Sequence, residues 1–133
     1  GANRGGALFI DYGHADGHVG ASARAIVGHQ FVGLLDRPGD ADLSALVDFA
    51  GLRASAKGAG TGALVPPLVT QRELLGALGI EARVNALLRS AAPSDAKAVL
   101  AGAERLVAAP GMGSEYKAMA LSDAETGDPV GFG

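Results

Sequence analysis

Gly5-Gly6-Ala7-Leu8-Phe9-Ile10-Asp11-Tyr12-Gly13-His14 is the stretch that decides the fold. A short apolar run ends abruptly in polar residues. This is the pattern of a strand buried in an α/β sheet, delivering side chains to its carboxyl end, where such sheets bind their ligands. The strand is predicted over 7–12. A central parallel strand needs neighbours on both sides, and little sequence precedes this one, so it reads as part of a larger domain.

Outward from that strand, residues 13–23 read as a loop rich in Gly, Ala and His, and 24–32 as weakly β-like. Asp36-Arg37-Pro38-Gly39-Asp40 is turn chemistry. Asp42 is a good N-cap for a helix over 43–58, with Leu43, Leu46, Val47, Ala50 and Ala54 on one face and Lys57, Gly58 and Gly60 at its end. A short strand, Ala63-Leu64-Val65, follows. Thr70-Gln71-Arg72-Glu73 is a capping box, opening a helix that stops at Gly79. Residues 81–90 form a further helix, Ser94 caps a fourth that ends at Pro110-Gly111, and 115–122 form a last strand. Residues 123–133, rich in Gly and Asp, are expected to be a flexible tail. The whole is α/β, about three strands and four helices, without internal repeats.

Composition narrows the function. The chain has 133 residues, 48% hydrophobic and 19% charged, which excludes disorder of the whole. Eleven basic and 14 acidic residues give a net charge of −3 without a basic run, which argues against nucleic acid as a partner. The absence of cysteine excludes disulfides, thiolate catalysis and Cys-based zinc sites. No apolar run reaches the length of a membrane span and no signal peptide opens the sequence, so the expected compartment is the cytoplasm. Gly1 in place of Met reads as a start that is missing, trimmed or replaced.

Several residues compete for chemical roles. Lys57-Gly58-Ala59-Gly60-Thr61-Gly62 has the spacing of a phosphate loop, but a helix precedes it and a strand follows, the reverse of what such a loop needs, so it reads as a helix end and linker. His14, Asp16, His18 and His29 are spaced too loosely to favour a metal. Asp11 and Tyr12 end a strand at the ligand edge, where a carboxylate orients a guanidinium through paired hydrogen bonds. Asp48 falls mid-helix, where no acid is needed for stability, and Gln71 has no local structural duty. No nucleophile elbow is present.

A set of stretches, in order, carries a resemblance: Gly5 to His14, Gly28-His29-Gln30-Phe31-Val32, Pro38 to Phe49, Val69-Thr70-Gln71 with Leu74-Leu75 and Leu78-Gly79-Ile80, and Met112-Gly113-Ser114-Glu115-Tyr116-Lys117. Together they resemble the C-terminal part of the S-adenosylmethionine-dependent methyltransferases related to the mitochondrial complex I assembly arginine methyltransferase. Ser44, Leu46 and Tyr116 depart from that pattern, where Thr, His and Phe are usual. The resemblance implies a class I, Rossmann-like methyltransferase sheet whose last, antiparallel strand closes it. It implies S-adenosylmethionine as cofactor, bound mainly by an N-terminal half absent from this chain, and a protein arginine as substrate. This chain alone would be inactive. Asp11, Tyr12 and His14 are then the expected catalytic residues, and His29, Asp48 and Gln71 the expected substrate-binding ones. The expected partners are the protein substrate and the missing half of the domain, or a second copy covering the open edge. The rival reading is a non-catalytic α/β module that binds a partner through an exposed sheet edge.

Overall fold

A computed structural model describes residues 5–17 and 22–132. Its centre is a mixed sheet of four strands. β1 (Gly6–His14) runs antiparallel to β7 (Tyr116–Ser122), with Gly6 opposite Ser122 and Tyr12 opposite Tyr116. Beyond β7 lies β6 (Val69–Thr70), antiparallel to it. On the other side of β1, β5 (Val47–Asp48) pairs in parallel, through Gly13↔Val47 and His14↔Asp48 only. Among the described residues the edge of β1 beside Gly6–Tyr12 is therefore open.

The residues between β1 and β5 form a second, three-stranded sheet. β2 (Arg24–Val27) is flanked by β3 (Gln30–Val32) and β4 (Asp42–Ser44). The weakly β-like 24–32 is thus a hairpin. Its two turn residues, Gly28 and His29, take positive φ of 54° and 64°, the conformation a two-residue hairpin loop requires.

The helix expected over 43–58 under Asp42 starts later. Asp42–Ser44 is strand, paired with Arg24–Ile26, and α1 spans Phe49–Gly58 with Asp48 as its N-cap. Spacing of three and four also fits two short extended segments, and the cross-strand partner on β2 decides between them. Between two Asp residues of equal capping propensity, Gly51 favours Asp48. The Asp48 carboxylate accepts from the Gly51 amide at 3.0 Å, and a Cβ at Gly51 would lie 2.6 Å from it.

The later helices follow expectation more closely. α2 (Gln71–Ala77) opens with the full Thr70–Glu73 capping box, α3 spans Ile80–Ser90 and α4 spans Pro93–Val107. Ser94 does not cap α4. Pro93 holds the first turn after Ala92, and the Ser94 hydroxyl donates to Asp95. A single turn, α5 (Met112–Glu115), leads into β7. Ala63-Leu64-Val65 contributes one bridge, Leu64 to Ser122.

Two layers flank the sheet. On one face Ala118 and Ala120 of β7 pack with Leu74 of α2 and with Phe132. Phe132, 6% exposed, ties back the segment expected to be a flexible tail, because its ring has apolar surface to cover. On the other face α1 sits against Gly13, where a Cβ would come within 2.5 Å of the Phe49 ring. The helical cover stops short of β1. A compact monomer of 13.2 kDa exposes about 6,400 Å², whereas this chain exposes 8998 Å².

Candidate functional site

Strand alternation divides the expected catalytic residues between two faces. Tyr12 lies on the α2 side, across from Tyr116, with ring centroids 3.9 Å apart and planes tilted by 37°. The hydrogen bond to the Tyr12 side chain, with burial and the Asp11 charge behind it, pushes the Tyr116 hydroxyl up to about 12; Arg105 of α4 opposes this. Tyr116 therefore stays neutral at physiological pH, a donor and acceptor rather than an anion. Asp11 lies on the α1 side, where its cross-strand partner is Lys117. Its carboxylate accepts from the Tyr12 amide at 2.7 Å, and the Lys117 ammonium donates to the Ser114 carbonyl.

One step beyond, β1 and β5 bring three further groups together. The parallel register places His14 beside Asp48. His14 Nδ1 lies 3.8 Å from Asp48 Oδ1 and 3.7 Å from Asp16 Oδ1, distances for charge attraction rather than for direct hydrogen bonds. The His14 side chain is 16% exposed, whereas Asp48 and Asp16 are 55% and 78% exposed. Asp48 has two duties, since it also caps α1 and sits at the positive end of that helix. The two accessible carboxylates beside the imidazole can receive the paired donors of a guanidinium.

The remaining candidates lie elsewhere. Gln71 is buried, and its amide donates to the Leu106 carbonyl at 2.8 Å, tying α2 to the end of α4. That bond is the structural duty that local sequence could not supply. His29 stands exposed at the tip of the β2–β3 hairpin, in a different sheet from β1. His18 lies outside the described residues. Among the described residues no group of three His, Cys, Asp or Glu could hold a metal, and no helix is long and apolar enough to cross a membrane. Asp16 was read from sequence only as a loose metal candidate, and Tyr116 only as a departure from a pattern. The signal for both is register, which sequence spacing does not carry.

Residues 2–66 match the family model described as "Putative S-adenosyl-L-methionine-dependent methyltransferase". The mouse mitochondrial protein arginine methyltransferase NDUFAF7 is 41% identical over 118 residues, covering 88% of this chain and 26% of its own length. The zebrafish protein of the same name is 38% identical over 113 residues, covering 85% and 26%. The chain is similar to this methyltransferase family over most of its length.

Solved structures of the family share the architecture. An uncharacterized Burkholderia thailandensis protein aligns with a TM-score of 0.79 at 25% identity, over 97% of this chain and 36% of its own. A second protein from that organism, bound to S-adenosyl-homocysteine, aligns at 0.75 and 29% identity, over 97% and 34%. The α/β architecture is thus a portion of a methyltransferase fold, and the chain spans about a quarter of the length of the curated relatives it matches. A cradle for the cofactor's polar groups needs a glycine turn between a strand end and a helix N-terminus. Gly58 instead ends α1, and Gly60 and Gly62 stand between it and the Leu64 bridge. These residues do not fit the cofactor.

Proposed function

We propose that this chain forms the substrate side of an S-adenosylmethionine-dependent protein arginine methyltransferase, with the cofactor held mainly by an N-terminal half of the domain outside this chain. The observation that carries the reading is the meeting of His14, Asp16 and Asp48 at the carboxyl end of β1. Relatives named as protein arginine methyltransferases support the substrate class.

In this reading Asp48 and Asp16 receive the guanidinium N–H groups and fix the plane of the acceptor. His14, wedged between them, is the group able to accept a proton there. Tyr12, stacked on Tyr116, supplies a flat aromatic wall, and Asp11 acts from the opposite face of the sheet. The cytoplasm remains the proposed compartment for this protein; the names of the relatives place those proteins in mitochondria.

Methyl transfer to arginine by the full-length protein tests the assignment. Asp48→Asn keeps a good N-cap while removing the charge. The expected result is a fall in kcat/KM of about 100-fold, with the thermal midpoint unchanged. Unaltered transfer would remove Asp48 from the site.

The open edge of β1 favours one other reading, a binding module that captures a strand. That module would fold cooperatively as a monomer from these 133 residues alone. The methyltransferase reading expects the isolated chain to be inactive, and soluble only with its other half or as an oligomer covering that edge.

A further inference from the structure

Glycines that leave no room for a side chain differ in what a side chain would strike. A Cβ at Gly13 would lie 2.5 Å from the Val47 carbonyl oxygen, and one at Gly113 would lie 2.4 Å from that of Val107. A side chain there forces main chain apart. Gly51 is different. The three atoms nearest to a Cβ at that position all belong to the Asp48 carboxylate, with Oδ2 at 2.6 Å, Cγ at 3.1 Å and Oδ1 at 3.6 Å. The group that would have to move is the tip of a side chain, and it is part of the candidate site. Glycine at the third residue of α1 also weakens that helix relative to alanine. What it provides in exchange is room for one carboxylate and an amide that reaches it.

The two carboxylate oxygens of Asp48 have different surroundings. Oδ1 accepts from the Gly51 amide at 3.0 Å and lies 3.8 Å from His14 Nδ1. Oδ2 borders the space that a Cβ would fill. The Asp48 side chain is still 55% exposed, so the bond to the helix does not close it to a ligand. The backbone that makes this bond is itself anchored, because the fully buried Phe49 ring of the same turn packs against Gly13. A carboxylate held at one oxygen by fixed backbone has less freedom to lose when it binds. We propose that Gly51 is a positioning residue for Asp48, holding Oδ1 on the His14 side and leaving Oδ2 to receive an N–H of the substrate guanidinium. This role rests on the function proposed above.

The test uses the full-length protein, S-adenosylmethionine and a pentapeptide with one arginine among alanines. Peptide affinity is read by calorimetry and methyl transfer by kcat/KM. Gly51→Ala should weaken both by about tenfold or more, as the carboxylate turns aside. Its thermal midpoint should hold or rise. A glycine that served only the helix start would move the midpoint alone. Ala54→Gly, at an exposed position of α1, should lower the midpoint and leave affinity and transfer unchanged. Asp48→Asn/Gly51→Ala should bind and transfer no worse than Asp48→Asn, since the glycine acts through that carboxylate. Wild-type affinity and transfer in Gly51→Ala would overturn the proposal. So would its failure to fold, because a side-chain tip yields at little cost. A matching loss in Ala54→Gly, a double variant that loses the product of both single effects, or a wild type that does not bind the peptide would also overturn it. Peptide binding that Gly51→Ala weakens, without methyl transfer by the wild type, would instead contradict the function proposed above and leave the positioning role intact.

Discussion

β1 and β7 lie side by side, pair residue for residue, and have opposite surroundings. In β7, Ala118, Met119, Ala120 and Ser122 are buried, at 0–3% exposure. In β1, Leu8, Phe9, Ile10 and Tyr12 are 42–55% exposed. The bare strand carries the bulkier apolar run, Leu8-Phe9-Ile10 against Ala118-Met119-Ala120. A run such as Ala-Leu-Phe-Ile is written for burial on both faces, whereas this chain covers β7 and leaves β1 open. The difference teaches that local sequence can encode an environment that the chain's own packing does not supply.

The comparison can be broken or sharpened by substitution, and the largest effect belongs to the covered side. Phe49→Ala removes the fully buried ring against Gly13 and should cost about 3–5 kcal/mol in chemical denaturation. Leu8→Ser on β1 should cost within about 0.5 kcal/mol in the isolated chain, but about 2–5 kcal/mol in the full-length protein. A small cost in both would mean that β1 stays bare in the whole domain.

Smaller effects probe the caps and turns. Thr70→Ala removes a capping-box hydroxyl and should cost about 1 kcal/mol in either context. His29→Gly relieves a left-handed backbone and should stabilise by about 1 kcal/mol in thermal melts. Loss of methyl transfer despite that gain would give His29 a part in the site. The smallest effect is in acid. The Thr126 hydroxyl, with the Gly5, Thr126 and Glu125 amides, holds the Asp123 carboxylate down to about 2. A carboxyl lowered in the folded state contributes stability that is present above its unfolded value of about 4 and is lost as pH falls through its folded one. Asp123→Asn should therefore flatten the fall in stability between about pH 4 and pH 2, read from urea midpoints.

What sequence made legible follows the range of the interaction concerned. The Thr70–Glu73 box closes within four residues, and it is present as read. Asp42 and Asp48 are indistinguishable as local caps. The choice between them is made by Gly51 and by pairing with β2, some twenty residues upstream. The meeting of His14 with Asp48 depends on a parallel register across a 33-residue excursion, and the Gln71 bond to Leu106 spans 35 positions. Neither leaves a periodicity to read. The apolar run of β1 reads as a buried strand, but burial depends on what covers it, which local sequence does not specify.

The most direct test of this account is amide hydrogen exchange in β1, measured in the isolated chain and in the full-length protein. The amides of Leu8 to Tyr12 that point away from β7 should exchange freely in the isolated chain. In the full-length protein they should slow by about 100-fold or more, the equivalent of about 3 kcal/mol of added protection. β7 should remain protected in both. Equally fast exchange of those β1 amides in the two proteins would contradict the claim that β1 is an interior strand of a larger methyltransferase sheet.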